Sequence, residues 1–208
     1  MKISLDNQSA IKIETDKIIY FDTFKLKDEY KDADYIFITH PHYDHFSKSD
    51  ILKIKKDNTK IISVKDNLDD IISLGFKIED ILIVDVNNEY RIDDITFKTV
   101  PAYNINKDFH KKEYGWVGYL LNINNSIVYF VGDSDYVPEM NDIKCDILCV
   151  PIGGTYTMDY NEASMLVKKI LPNKVIPMHY KTIVGTEEYA NIFKREVESI
   201  TEVDIIME

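Results

Sequence analysis

The chain has little positive charge, few arginines and no long apolar run. Its 208 residues include 36 Asp and Glu against 25 Lys and Arg, so its formal net charge is −11. An acidic surface repels nucleic-acid backbones and anionic membranes, which disfavours a general polyanion-binding function. No stretch approaches the roughly 20 apolar residues that a membrane-spanning helix needs. The N-terminus also lacks the basic-then-apolar pattern of a signal peptide. We therefore expect a cytoplasmic protein that binds neither membranes nor, as its main role, nucleic acid.

Cysteine is scarce as well, with only Cys145 and Cys149 present. In a strand, residues four apart share one face but lie about 13 Å apart, which is too far for a disulfide. We expect both thiols to be small buried residues of a core strand. A metal or redox role is the alternative.

The chain shows no internal repeat, low-complexity segment or linker, and its length suits one compact domain spanning residues 1–208. Apolar periodicity predicts many strands, interrupted by a few helices. We expect an α/β fold in which two mixed sheets pack together with helices outside, an αββα sandwich. The predicted strands are 10–14, 18–22, 35–39, 60–64, 81–84, 90–92, 95–100, 117–123, 126–132, 146–151, 174–178 and 203–207, and the predicted helices are 47–56, 67–74, 161–170 and 187–199.

One segment concentrates potential metal ligands directly after an apolar strand. His40, His42, Asp44 and His45 place three of the chain's five histidines and one carboxylate within six consecutive positions. Neutral imidazoles and carboxylates are good ligands for divalent transition metals. Residues 40 and 42 project to one side of an extended strand end, so they can hold one ion. Residues 44 and 45 follow the turn and can reach a second ion. The alternative, polar residues in a surface turn, does not account for this density of ligands.

This segment resembles the HxHxDH signature of the metallo-β-lactamase fold superfamily, whose members are αββα sandwiches and include many metal-dependent hydrolases. Two later motifs follow in the family's order: Gly132-Asp133 after a strand, and Met178-His179 after another. The resemblance implies that Asp133 bridges two divalent ions and that His179 binds the second ion. Zinc is the expected metal, with manganese or iron as alternatives. A finer similarity to ascorbate-6-phosphate lactonase-like hydrolases is carried by the segments 101–104, 118–119 and 151–158.

One position departs from the family pattern. The family usually places a third histidine, a ligand of the first metal, where this chain has Asn104. An amide oxygen is a weak zinc ligand, so the first site is expected to be weak unless another residue completes it. His110 lies six residues further on. Three roles for it stay open: an exposed loop histidine, a metal ligand, or a group that contacts substrate or transfers a proton.

The resemblance implies hydrolysis by a metal-activated water acting on a small-molecule ester, lactone or phosphoester. Candidate catalytic residues are Asp44, Asn104, His110 and Tyr156, the last three as donors to a developing oxyanion or leaving group. The alternatives are a phosphodiesterase or nuclease acting on a nucleotide ester, and a non-catalytic metal sensor. A diiron oxidoreductase is disfavoured because that class would have Glu in place of His42.

Two acidic residues have unresolved roles at this level. Asp22 ends an early strand, either as a carboxylate that orients a ligand histidine or as part of a plain turn. Asp135 is either a supporting carboxylate near the metals or a cap for the turn that follows it.

Overall fold

The computed structural model describes residues 1–206, which form two compact units. The first unit comprises residues 1–85 and the second comprises residues 86–206. Each unit contains one mixed β-sheet together with helices. The single domain expected from chain length stays a prediction.

The first unit holds a six-stranded sheet in the order β1-β2-β3-β4-β5-β6. The strands β1 to β3 pair antiparallel, whereas β3 to β6 pair parallel. The elements are β1 (Lys2–Leu5), β2 (Ile11–Glu14), β3 (Ile18–Phe21), β4 (Ala33–Phe37), α1 (Lys48–Ile54), β5 (Lys55–Ser63), α2 (Leu68–Ser73) and β6 (Ile81–Ile83).

The core of the first unit is built by alternation along β4. Ile36 lies in an apolar cluster with Ile51 and Ile54 of α1, while Phe37 points to the opposite face and stacks on Phe21 at a centroid distance of 5.3 Å. All of these side chains are buried. Parallel strands that are buried on both faces read as continuous apolar runs, which is what the sequence shows here.

Helix α1 begins where the sequence places a cap. The Ser47 side chain accepts the N–H of Asp50, and the helix then ends at Ile54. The buried Asp50 carboxylate in turn accepts the backbone N–H groups of Lys25 and Leu26 at 2.8 and 3.2 Å. The first turn of α1 therefore anchors the segment that follows β3.

The second unit holds a seven-stranded sheet in the order β13-β12-β11-β10-β9-β8-β7. Strands β7 to β10 pair antiparallel and β10 to β13 pair parallel. The elements are β7 (Glu89–Ile92), β8 (Ile95–Pro101), β9 (Val117–Ile123), β10 (Ser126–Phe130), β11 (Ile147–Pro151), α3 (Tyr160–Ile170), β12 (Lys174–Met178), α4 (Glu187–Val197) and β13 (Glu202–Val203). Helix α3 starts with a capping box formed by Asp159 and Glu162, and it packs against β11 and α4.

Strand direction brings the candidate residues of each unit to one sheet edge. In the first unit, the parallel strands β3 and β4 end just before Asp22 and the 39–45 segment. In the second unit β8, β10, β11 and β12 all run in the same direction. Their carboxyl ends therefore place Asn104, Asp133, the 153–154 glycines and His179 along one edge.

The expected α/β class with two mixed sheets and flanking helices is confirmed, and two strand predictions coincide with β9 and β12. The helix predicted for 47–56 is too long, because Lys55 already begins β5. Strand β1 was not predicted. The last predicted strand is only Glu202–Val203, and its predicted end, Met207, lies outside the described residues. No helix within residues 1–206 is both long and apolar enough to cross a bilayer.

The two cysteines differ from the prediction in one respect. Cys149 is buried in β11 as expected, but Cys145 precedes the strand and is only half-buried. Both are free thiols. Burial raises the pKa of the Cys145 thiol to about 12 and also raises the pKa of Cys149. Neither thiol therefore ionises readily, which favours the expected role as small buried residues over a metal or redox role.

Candidate metal-binding residues

His40 and His42 present ring nitrogens to each other just beyond the end of β4. His40 Nε2 lies 3.1 Å from His42 Nδ1, with the ring planes inclined at 80°. Two imidazole nitrogens bound to one tetrahedral zinc ion at about 2.0–2.1 Å lie roughly 3.3 Å apart. The observed separation therefore suits two ligands of a single ion.

The Asp22 carboxylate orients two of these histidines, His45 directly and His40 through the Thr39 hydroxyl. Its carboxylate accepts the Thr39 N–H at 2.9 Å and the Thr39 hydroxyl at 2.7 Å, and it lies 2.7 Å from His45 Nδ1. The Thr39 hydroxyl is also 2.8 Å from His40 Nδ1. Because that hydroxyl gives its hydrogen to Asp22, it accepts from His40. This pattern places a proton on Nδ1 of both histidines and leaves Nε2 as the ligand atom.

These contacts favour the orienting role for Asp22 over the plain turn. The carboxylate is fully buried. Burial raises the pKa of Asp22 above its usual value, although its His45 and Thr39 partners act in the lowering direction. The residue itself has φ +41°, so the backbone adopts a left-handed conformation to aim the carboxylate at the 39–45 segment.

Asp44 and His45 form the second pair of this segment. Asp44 Oδ2 lies 3.5 Å from His45 Nε2, and both residues are buried. Asp44 Oδ2 also accepts a hydrogen bond of 3.1 Å from Nε2 of Gln8, a buried residue that the sequence did not single out. Gln8 lies in the polar turn before β2, and no motif marks it. Its contact with a residue 36 positions away becomes visible only in the folded chain.

Asp133 stands between two histidines in the second unit. Its Oδ2 lies 3.0 Å from His179 Nε2 and 3.3 Å from His110 Nε2, and all three side chains are nearly inaccessible. A single carboxylate oxygen shared by two imidazole nitrogens suits a ligand that serves two ions. The structure thus brings together the three residues predicted as metal ligands in this half of the chain, His110, Asp133 and His179.

The exposed-loop interpretation of His110 is wrong. Its side chain is 2 % exposed, and its ring packs edge-on against Trp116 at 5.5 Å. The surrounding loop is polar, so the sequence alone suggested exposure. The fold instead turns this one residue inward with φ +55°.

Asn104 is buried beside His110 and is fixed through its amide nitrogen. Nδ2 donates to the carbonyls of Tyr156 at 2.7 Å and Phe109 at 3.0 Å. Nδ2 also lies 3.3 Å from His110 Nδ1, and together these contacts leave no amide hydrogen for an oxyanion. Oδ1 is buried and has no hydrogen-bond partner among the described residues. A buried acceptor of this kind is well suited to a cation or a water molecule.

The other two candidates lie in the same part of the second unit. The Tyr156 ring packs edge-on against Phe109 at 4.8 Å, and its backbone carbonyl holds Asn104. The Asp135 carboxylate accepts the N–H of Ile105 at 2.9 Å. It therefore supports the loop that follows β8 and does not cap its own turn.

Two mixed sheets, with buried histidines and carboxylates beyond the strand ends of each unit, are typical of α/β proteins that can bind metal ions. Comparison with known proteins makes this specific. The chain belongs to the beta-lactamase superfamily, whose domain model matches residues 5–179.

Similar proteins span nearly the whole chain. A UPF0173 metal-dependent hydrolase from Thermococcus kodakarensis is 30 % identical over 220 residues, covering 99 % of this chain and 96 % of that protein. Another, from Nanoarchaeum equitans, is 30 % identical over 209 residues, covering 95 % and 92 %. The structure of Igni18, a metallo hydrolase from Ignicoccus hospitalis, is 25 % identical with a TM-score of 0.81, covering 99 % and 94 %. The superfamily resemblance is thereby confirmed, while the finer similarity to ascorbate-6-phosphate lactonase-like proteins stays a prediction.

Proposed function

We propose that this chain is a metal-dependent hydrolase of small-molecule esters, lactones or phosphoesters that uses two divalent ions. The observation that carries the proposal is the position of Asp133 Oδ2 between the Nε2 atoms of His110 and His179. A carboxylate oxygen close to two imidazole nitrogens beyond the strand ends is a set of donors that suits divalent transition metals. Membership of the beta-lactamase superfamily supports the same conclusion.

The donor atoms of both units fit such ions. In the first unit, Asp22 and Thr39 orient Nε2 of His40 and His45 for coordination. In the second unit, buried Oδ1 of Asn104 is an additional oxygen donor. The proposed metal ligands, following the family resemblance, are His40, His42, Asp44 and His45 of the first unit and His110, Asp133 and His179 of the second unit.

A bound divalent ion would supply Lewis acidity and an ionised water near pH 7, so no side-chain base is required. The chain's own residues would then position and protonate. Asp22 keeps the His45 proton on Nδ1. Tyr156 is the proposed donor to the leaving group, because its phenol belongs to the segment that holds Asn104. Mixed nitrogen and oxygen ligands favour zinc, while manganese and iron compete according to availability.

Metal analysis and a substrate panel test this function. We expect the purified protein to contain up to two equivalents of divalent metal and to hydrolyse at least one of a lactone, a carboxylic ester and a phosphomonoester. Asp133→Ala should abolish metal-supported hydrolysis, since it removes the oxygen shared by His110 and His179. Asp142→Ala, on an exposed loop of the same unit, is the matched control.

The panel also separates the competing functions. Turnover confined to phosphodiesters would favour the phosphodiesterase alternative, which the net charge of −11 disfavours for long nucleic acids. Bound metal without turnover of any substrate would favour a metal sensor. Full activity of Asp133→Ala would refute the role assigned to that carboxylate. A cytoplasmic location stays a prediction.

A further inference from the structure

Residues 105–109, here called the His110 loop, are largely exposed and lie between two buried residues. Asn104 and His110 are buried, whereas Ile105 and Phe109 are 55 % and 48 % exposed. The Asn104 N–H donates to the His110 carbonyl at 2.7 Å, which closes the His110 loop at its base. The His110 ring itself packs against Trp116, and its Nδ1 lies 3.3 Å from the Asn104 amide nitrogen. These contacts hold the ring within its own loop, and further contacts connect that loop to the strand end that carries Asp133.

Asp135 supplies one of these contacts from a neighbouring strand end. Its backbone N–H donates to the Tyr103 carbonyl at 3.0 Å, and its carboxylate accepts the Ile105 N–H at 2.9 Å. Asp135 is 4 % exposed and lies only two residues beyond Asp133. The strand end that carries Asp133 is therefore hydrogen-bonded, through Asp135, to the start of the His110 loop.

Lys107, in the middle of the His110 loop, adds a second contact to Asp135. Its ammonium group forms an ion pair with Asp135 Oδ1 and donates to the Thr157 carbonyl at 2.7 Å. The side chain is 25 % exposed, so the pair is largely shielded from solvent. A shielded, charge-assisted bond of this kind is stronger and more directional than a surface ion pair.

We infer that Lys107 and Asp135 are positioning residues that set the His110 imidazole against Asp133. The pair joins the His110 segment to the Asp133 strand end and so determines the 3.3 Å separation of His110 Nε2 from Asp133 Oδ2. This role rests on the proposed function, in which His110 is a ligand. It also explains how a histidine six residues beyond Asn104 lies next to Asp133, because the ion pair holds the intervening residues in place.

The test uses Lys107→Met, which keeps the length of the side chain and removes its charge. Lys111→Met, an exposed position just beyond His110 in the same segment, is the matched control. Zinc affinity is measured by competition with a fluorescent chelator. Loss of an orienting contact around a ligand typically weakens metal binding by about ten- to hundredfold. We expect a loss of that size for Lys107→Met and no change for Lys111→Met.

Two further measurements distinguish positioning from general destabilisation. In a His110→Ala background, Lys107→Met should weaken zinc binding no further, because its effect is exerted through His110. In the metal-free protein, Lys107→Met should shift the NMR signals of the His110 ring and leave those of the His40 ring in place.

The outcomes separate this inference from the proposed function. If the wild type binds zinc and Lys107→Met binds it equally well, the positioning role is refuted and the hydrolase proposal stands. An equal loss in the His110→Ala background also refutes it. If the wild type binds no divalent metal, the proposed function fails, and the imidazole signals alone decide whether the ion pair orients His110.

Discussion

Replacing Gly153 by alanine should push the His179 backbone away from its place at the end of β12. A Cβ atom at Gly153 would lie 2.1 Å from the His179 carbonyl oxygen and 2.7 Å from a methyl carbon of Val184. Ordinary carbon–oxygen contacts are about 3.3–3.6 Å, so the two chain segments must separate by roughly 1.2 Å or more. The valine methyl can rotate away, but the carbonyl belongs to the backbone and cannot move without displacing His179.

The cost follows from that displacement. Overpacking a filled interior costs about 1–3 kcal/mol, and an obstructing backbone atom places Gly153→Ala at about 3 kcal/mol. Moving the His179 imidazole relative to Asp133 should also weaken metal binding by about tenfold or more. Urea unfolding of the metal-free protein measures the first effect, and chelator competition measures the second.

The neighbouring glycine is the control. Gly154 has φ +68°, and a Cβ there would meet nothing closer than Asp159 Cβ at 3.5 Å, an ordinary contact. Gly154→Ala should therefore cost only the left-handed backbone strain, about 1–2 kcal/mol, without loss of metal affinity. The reasoning is refuted if Gly153→Ala unfolds like the wild type with unchanged affinity, or if Gly154→Ala loses as much affinity as Gly153→Ala.

Two other predictions concern the first unit. Asp22→Asn should weaken metal binding about ten- to hundredfold, because an amide N–H facing His45 Nδ1 forces the ring proton onto Nε2; chelator competition measures this. Asp50→Asn should lower the free energy of unfolding by about 2 kcal/mol at pH 7. Burial acts to raise the pKa of Asp50, but hydrogen bonds from Lys53 and Ser47 lower this pKa overall. The contribution of the carboxylate to the free energy of unfolding is therefore complete above about pH 4, and it is lost as the pH falls through the folded-state pKa. Urea unfolding at several pH values measures it.

Unchanged affinity of Asp22→Asn would show that the carboxylate does not set the His45 tautomer. For Asp50, the difference between wild type and variant should be constant from pH 5 to pH 8 and shrink below about pH 4. A difference that grows on acidification would contradict the assigned sign.

The strands could largely be predicted because burial on both faces produces continuous apolar runs. The apolar stretches 119–121 and 175–178 mark two of these strands, and the predicted bounds 117–123 and 174–178 match β9 and β12. The polar start of β5 carries no such pattern. There the Thr59 hydroxyl accepts the Lys56 N–H and donates to the Ala33 carbonyl, so tertiary contacts and not periodicity place these residues in the strand.

The sequence by itself indicated the superfamily and marked the 40–45 segment as candidate metal ligands, because these residues lie on one short stretch of chain beyond a single strand. It also marked Asp133 and His179, since each follows an apolar strand in a recognisable motif. The inward turn of His110, the Asp22 contacts and the place of Gln8 were decided only by the tertiary structure. These depend on contacts between residues far apart in the chain, which local patterns of polarity do not record.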